Sequence, residues 1–359
     1  MNMRRATIAD VARVAGVSAS TASVVFSGKT PVSDATRTKV LSAAGELGYT
    51  GPDPRAASLR RGRSGIVGVV IGDRVRNAFR DPVTTVMLDG LAEGMAAQGA
   101  GLLLLRDDAG REGGEPSVRT APADAFVLVG CSTGLRESLD TVRGRDIPVV
   151  VIEGDAGAGV PQILLDNREA QGEIARHVRD LGHRRVVLVT LPTAAGSGPG
   201  WIEDRTPVTV TVTRDRLSGA RDVFPGVGAY AARRSSIDEG YAAAVAVLAA
   251  DGARPTAILA QSDLLAAGVI RAVQDAGLVV PDDISVTGFD GVWVDGVAPL
   301  ELTTMVQPAA EKGRAAGAAI SAMLAGEAAA SVRLTSAFRS GNTTGPVRED
   351  AEPEPGSSA

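Results

Sequence analysis

The chain has 359 residues, and 44% of them are apolar, enough for real cores and too many for a disordered chain. At about 100–200 residues per domain, that length allows two or three domains. The 37 Lys and Arg against 42 Asp and Glu leave a formal charge of −5, which by itself points weakly away from nucleic acid. One cysteine, Cys131, excludes an intrachain disulfide framework, and two histidines, His177 and His183, leave little for zinc, so no metal or other cofactor is expected. No apolar run approaches the roughly 18–20 residues of a membrane span. Asp10 follows Arg4 and Arg5 before any long apolar stretch, which argues against a secretory signal.

The charge is unevenly placed. Residues 1–63 carry ten basic and four acidic side chains, a net +6, which leaves −11 for the rest of the chain. A basic arm on an acidic body is the asymmetry of a nucleic-acid-binding head on a soluble partner. Only Lys29, Lys39 and Lys312 are lysines, a bias that fits GC-rich coding.

Thr7-Ile8-Ala9-Asp10 reads as a capped helix start, with an apolar face at Ile8, Val11, Ala12 and Ala15 and a stop at Gly16. Ser18 caps a second helix through Ser20–Phe26. Two short helices around a three-residue turn containing Gly form the helix-turn-helix pattern. The second helix opens with small hydroxyl residues, suited to phosphates and base edges. A third helix starts at Ser33 and ends at Gly48. Residues 52–63 are Pro-bearing and basic, a linker too short to be a stable isolated helix. From Gly65 the pattern changes. Apolar strands are expected at 66–71, 102–105, 126–129, 149–152, 186–189, 257–259 and 284–286. Helices are expected at 83–97, 168–181, 216–223, 237–249 and 264–276. This alternation indicates a doubly wound α/β architecture, and two lobes fit its length better than one. The segment 192–213 is long, and Val208-Thr209-Val210-Thr211-Val212 looks like an extra strand or hairpin arm. The stretch 107–123 is polar and Gly-rich where a helix would normally follow.

The first fifty residues resemble the LacI/GalR family of bacterial transcription regulators. The match runs ungapped through Thr7-Ile8-Ala9-Asp10-Val11-Ala12, Ala15-Gly16-Val17-Ser18, Ser20-Thr21, Val32-Ser33, Thr36-Arg37, Val40 and Leu47-Gly48-Tyr49. Further matches are Leu181-Gly182-His183-Arg184-Arg185, Arg216-Leu217-Ser218-Gly219, Val280–Asp290 and Leu302–Pro308. The resemblance implies an all-α headpiece at 1–51, a hinge helix at 52–63 and a two-lobed, periplasmic-binding-protein-like α/β body at 64–345. It implies crossovers near Asp166 and Asp290, and a disordered tail is expected at 346–359. By position, Thr7, Ser18, Thr21, Ser23, Ser33, Thr36 and Tyr49 would contact or flank phosphates. Ala19, Ser20 and Val24 would face base edges, and Ala56 and Leu59 would belong to the hinge, with Leu59 wedging the minor groove. Val24 stands where many members carry Arg, so it offers only apolar contact where Arg could read guanine. Direct readout is therefore expected to be sparse, with shape carrying more of the specificity. Alternatively, Val24 packs the helix and another side chain reads bases.

For the cleft, the resemblance points to Arg216 and Asp290 as effector ligands, with Ser262, Asp263, Gln307 and Asp166 as further candidates. Asp263 could instead cap the next helix, and Asp166 with Asn167 could form a structural turn. Phe79, Phe126, Trp201, Phe289 and Trp293 are expected to pack in the core or between lobes before serving as sugar-facing rings. His183 is expected to be structural.

The implied activity is that of a site-specific regulator, a repressor, working as a homodimer on a pseudo-palindromic operator. A small-molecule effector, of the sugar type, would modulate it in the bacterial cytoplasm at the nucleoid, without membrane contact. The alternatives are a free solute-binding protein, which the basic head opposes, and an α/β enzyme. No catalytic residues are expected, because no persuasive nucleophile elbow or dinucleotide motif is present.

Overall fold

A computed structural model of the chain describes residues 6–28, 30–51, 62–72, 75–106, 117–130, 135–194 and 196–347. The chain divides after Gly65 into two units. The expected hinge contacts Ala56 and Leu59 lie outside the described residues, as do 107–116 and the tail from 348 onwards.

The head holds α1 (Ile8–Ala15), α2 (Ala19–Ser27) and α3 (Asp34–Glu46). Each begins on a hydroxyl cap, at Thr7, Ser18 and Ser33, whose side chain accepts the N–H three residues on. Gly16 and Gly28 end the first two helices at φ 67° and 63°, which only glycine adopts without strain. The axis turns 108° between α1 and α2, within the helix-turn-helix range. Val11, Ala12, Ala22, Val25, Val40, Ala43 and Ala44 form its core.

The body contains two sheets. The first combines β1 (Ile66–Ile71), β2 (Gly101–Arg106), β3 (Ala125–Val129), β4 (Val149–Ile152), β5 (Gln162–Leu165) and β12 (Val332–Leu334) in the order β12-β5-β4-β3-β1-β2. All its neighbours are parallel. The second combines β6 (Val186–Thr190), β7 (Gly200–Trp201), β8 (Gly228–Ala231), β9 (Ala257–Ala260) and β10 (Ser285–Thr287) in the order β10-β9-β6-β8-β7, with β7 alone antiparallel to its neighbour. Apolar clusters lie on both faces of each sheet, so each lobe is doubly wound.

The first lobe carries the short α4 (Val75–Ala78), α5 (Pro82–Gly94), α6 (Leu135–Gly144) and, from the far end of the chain, α11 (Ala309–Leu324). Helices α5 and α11 approach until their backbones touch. A Cβ on Gly313 would stand 2.0 Å from the Met87 carbonyl oxygen, and one on Gly90 2.1 Å from that of Ala310. The second lobe carries α7 (Asn167–Asp180), α8 (Thr211–Val223), α9 (Ile237–Leu248) and α10 (Asp263–Asp275).

The chain crosses between the lobes three times, one more than expected, and the second crossing falls after Thr303 and not near Asp290, because Val294, Val297 and Leu302 still pack in the second lobe. The first crossing is at Asp166. The second contains β11 (Thr304–Val306), and the third contains β13 (Ala337–Arg339), which pairs with β11 antiparallel. Asp166 accepts hydrogen bonds from the Ser336 N–H and hydroxyl at 2.9 and 2.8 Å, tying first crossing to third.

Four local expectations need correction. Thr211 opens α8, so Val208–Val212 is not a strand. The alternation is overridden because Val212 and Thr213 are both buried, and the Thr213 hydroxyl donates to the Pro192 carbonyl at 2.7 Å. The helix expected at 83–97 ends at Gly94, followed by a 3₁₀ turn at Ala96–Gln98. Pro346 and Val347 are ordered: the Val347 N–H donates to the Leu181 carbonyl at 3.0 Å, so the expected tail begins too early. Strands β5, β7, β8, β11, β12 and β13 are additional to those expected, and each is only two to four residues long, too short for a clear apolar run.

Candidate functional site

In the head, Ala19 and Ser20 are exposed at the start of α2, whereas Ser23 and Val24 are half-buried. The Ser18 hydroxyl lies 2.8 Å from both the Ser20 and the Thr21 hydroxyls. Ser33 and Thr36 repeat the pairing at 2.9 Å. Helix α2 has no charged or amide side chain anywhere in Ala-Ser-Thr-Ala-Ser-Val-Val-Phe-Ser. Tyr49 meets Phe26 edge-on at 5.3 Å, which fixes the end of α3 against α2. Thr7 donates to Asp10 through its N–H and hydroxyl. These bonds, with Arg13, hold the Asp10 carboxyl down at about 2.

In the body, six polar side chains close into a ring. Glu153, just past β4, accepts from Asn167 Nδ2 at 2.9 Å and from the Lys312 ammonium. Lys312 also donates to Gln307 Oε1, and Gln307 Nε2 donates to Asp290. Asp290 lies 3.7 Å from an Arg216 nitrogen. Arg216 Nε donates to Asn167 Oδ1 at 2.7 Å, which completes the circuit. The guanidinium sits 3.5 Å from the Phe289 ring centroid and also donates to the Gln261 carbonyl. All six residues are buried.

Such burial demands pairing, because an isolated charge in a protein interior is costly. Burial opposes ionisation of Glu153, but Lys312 and then Arg216 outweigh it and hold its pKa below the ordinary range. Burial pushes Asp290 well above that range despite Arg216, and Asp263 and Asp81 push it further up. Glu153 and Asp290 also have φ 54° and 125°, left-handed backbone that a non-glycine residue adopts only under local constraint.

Three expected ligands, Arg216, Asp290 and Gln307, therefore come together. The other three do not join the ring. Ser262, not Asp263, caps α10, and its hydroxyl pairs with Ser235 at 2.8 Å. The buried Asp263 carboxylate accepts from the Thr304 hydroxyl at 2.6 Å and the Val292 N–H at 2.8 Å, which makes it a joint between α10 and the second crossing. Asp166 is the crossing strut described above. Sequence reasoning misses Glu153, Lys312 and Gln261. Lys312 carries a usable signal, as the sole lysine after residue 63, and Glu153 directly follows the apolar run of β4.

Of the five aromatic candidates, Phe126 and Phe289 are fully buried. Phe79, Trp201 and Trp293 are 58%, 42% and 81% exposed, contrary to the packing expected of them. Phe79 and Trp293 follow the carboxyl ends of β1 and β10, where α/β ligand clefts open. His183 bonds Thr256 at 3.0 Å and the Gly345 carbonyl at 2.9 Å, a structural position.

A capped helix-turn-helix head and a body of two doubly wound lobes, with a polar cluster between them, define a two-part regulator: a DNA-binding module joined to a solute-binding one. The model of bacterial regulatory proteins of the lacI family matches residues 7–51, and that of the periplasmic binding protein-like domain matches 175–340. An HTH-type transcriptional regulator of Mycolicibacterium smegmatis is 34% identical over 335 residues, covering 88% of this chain and 89% of its own. The lac repressor dimer bound to operator and the anti-inducer ONPF shares the fold at TM-score 0.75 and 22% identity, covering 95% of this chain and 100% of its own. The regulator CelR in complex with cellobiose does so at TM-score 0.60 and 22% identity, covering 94% and 100%. The chain belongs to the LacI family of bacterial transcriptional regulators.

Proposed function

We propose that the protein is a site-specific transcriptional repressor whose affinity for its operator is set by a small polar effector held in the ring between the lobes. The observation that carries this reading is the convergence of Arg216, Asp290, Gln307, Asn167, Glu153 and Lys312 on one buried locus at the lobe crossings. Side chains that both donate and accept suit hydroxyl-rich compounds such as sugars. Cellobiose in the similar regulator CelR supports that class.

In this reading a homodimer places one head on each half of a pseudo-palindromic operator, as the dimeric, operator-bound lac repressor suggests. Ser18, Thr21, Ser23, Ser33, Thr36, Thr7 and Tyr49 meet the phosphate backbone. Ala19, Ser20 and Val24 face the bases, and residues 52–63, with Ala56 and Leu59, bind the minor groove. A recognition helix without long polar side chains reads methyl groups and shape more than hydrogen-bond patterns. The protein acts in the cytoplasm at the nucleoid, and its work is binding, not catalysis. Effector and operator affinities are coupled reciprocally.

The test is a thermal-shift screen of sugars and nucleosides, followed by binding to DNA upstream of the protein's own gene with and without the hit. A ligand that binds only the folded state raises its melting temperature. Binding with no preference over competitor DNA at moderate salt would end the regulator reading.

A further inference from the structure

Two links of the ring join the lobes. One is the hydrogen bond from Asn167, at the start of α7, to Glu153 at the end of β4. The other runs from Lys312 on α11 through Gln307 to Asp290. Lys312 anchors the first-lobe end of this second link, because its ammonium also binds Glu153 of the same lobe, and Gln307 carries the link across to Asp290. It is 1% exposed.

Composition sharpens its meaning. Of the 27 basic residues after position 63, 26 are arginine and one is Lys312. A chain that uses arginine almost everywhere keeps lysine where Glu153 and Gln307 crowd the cationic group from two sides. A compact ammonium fits there, and a planar five-donor guanidinium does not. The close approach of α5 and α11 at Gly313, the next residue, fixes the side chain's origin.

We propose that Lys312 is an internal ligand that, through Gln307, ties the two lobes together, and that the effector acts by taking over its acceptors. The tie itself needs no effector. The takeover rests on the sensor reading above, and it names the chemistry required. Whatever replaces an ammonium between a carboxylate and an amide oxygen must donate to both Glu153 Oε2 and Gln307 Oε1. Compounds with neighbouring hydroxyl or amine donors satisfy this, and compounds with acceptors alone do not.

The test uses the full-length, ligand-free protein and two variants, Lys312→Leu and Glu153→Gln. The first keeps an apolar stem of similar bulk, and the second keeps size and polarity. The Asp290 N–H donates to the Met305 carbonyl and the Gln307 N–H to the Asp290 carbonyl, so both amides report on the crossing. Hydrogen exchange at these amides should rise about tenfold or more in both variants, while β6 and β9 stay protected. Exchange there unchanged in both variants, or a rise confined to α11 in Lys312→Leu, overturns the tie. Thermal shifts with glucose and ribose, against succinate as an acceptor-only compound, test the takeover. A shift with succinate alone overturns it. If none of the three shifts the wild type while exchange rises in both variants, the tie stands and the sugar-effector reading fails.

Discussion

In the head, the hydroxyls expected at DNA are held by neighbours two or three residues away: Ser18 by Ser20 and Thr21, Ser33 by Thr36, Thr7 by Asp10. In the cleft, the partners of Glu153 stand 14 and 159 residues away, and Arg216 reaches 49 residues back to Asn167. The head's hydroxyls are neutral and lie at or near the surface, so they can exchange one hydrogen bond for another at little cost. The cleft's groups are buried, and the ionised Glu153, Lys312 and Arg216 among them are compensated only while their partners stay in place. On the proposed reading, surface hydroxyls suit rapid trial of many DNA sites, and a closed buried ring suits a response to one ligand.

The widest gap between the regions should appear in Arg216→Ala. It removes the cation beside Asp290 and the donor to Asn167 Oδ1, so urea unfolding of the body should lose about 3–5 kcal/mol. The head's own transition should be unmoved. A loss below about 1 kcal/mol would mean that the ring is hydrated, and the contrast would collapse. Next in size is Gly313→Ala, where the new methyl meets the Met87 carbonyl and α11 must shift. The expected cost is about 1–3 kcal/mol in the body, read by calorimetry. Ser18→Ala removes the cap of α2 and should cost the head about 1 kcal/mol, measured by its melting in circular dichroism. The body should not respond.

Asp290→Asn gives a smaller effect with a distinctive pH signature. Because burial raises the Asp290 pKa, its favourable contribution is complete below the ordinary carboxylate range and fades as pH rises through the raised value. The variant should lie within about 1 kcal/mol of wild type at neutral pH and lose that slope, as melts across pH will show. The smallest change is at Asp10, whose sign is opposite. Its pKa is lowered to about 2, so its contribution is intact above the ordinary value of 3.8 and vanishes as pH falls through about 2. Asp10→Asn should flatten the acid limb of head unfolding.

The same contrast between short-range and long-range partners separates what is legible in the amino-acid sequence from what is not. The head is legible because caps, glycine stops and apolar spacing act over three or four residues, and Thr7, Gly16, Ser18 and Ser33 announce themselves. The two lobes are legible from alternating apolar runs. Arg216, Asp290 and Gln307 are indicated only by resemblance. Glu153 and Lys312 leave only compositional or positional hints, because their pairing exists only once α11 has returned from the chain's far end to pack on α5. Val208–Val212 misleads because alternating β-branched residues satisfy a strand pattern even where tertiary burial enforces a helix.

The three crossings have a mechanical consequence. Asp166 is tied to Ser336, β11 pairs with β13, and the Thr303 hydroxyl meets that of Thr344 at 3.0 Å, so the connections form one laced band. A pair of loose strands would let one lobe twist or slide on the other. A band laced along its width behaves as a leaf spring, compliant in bending and stiff in torsion and shear. On the proposed reading, a signal leaving the cleft is then reduced to one coordinate, the angle between the lobes. The last described residues, where the Val286 N–H donates to the Thr343 carbonyl and Val347 rests on Gly182, are the rivets that fasten the spring to the second lobe.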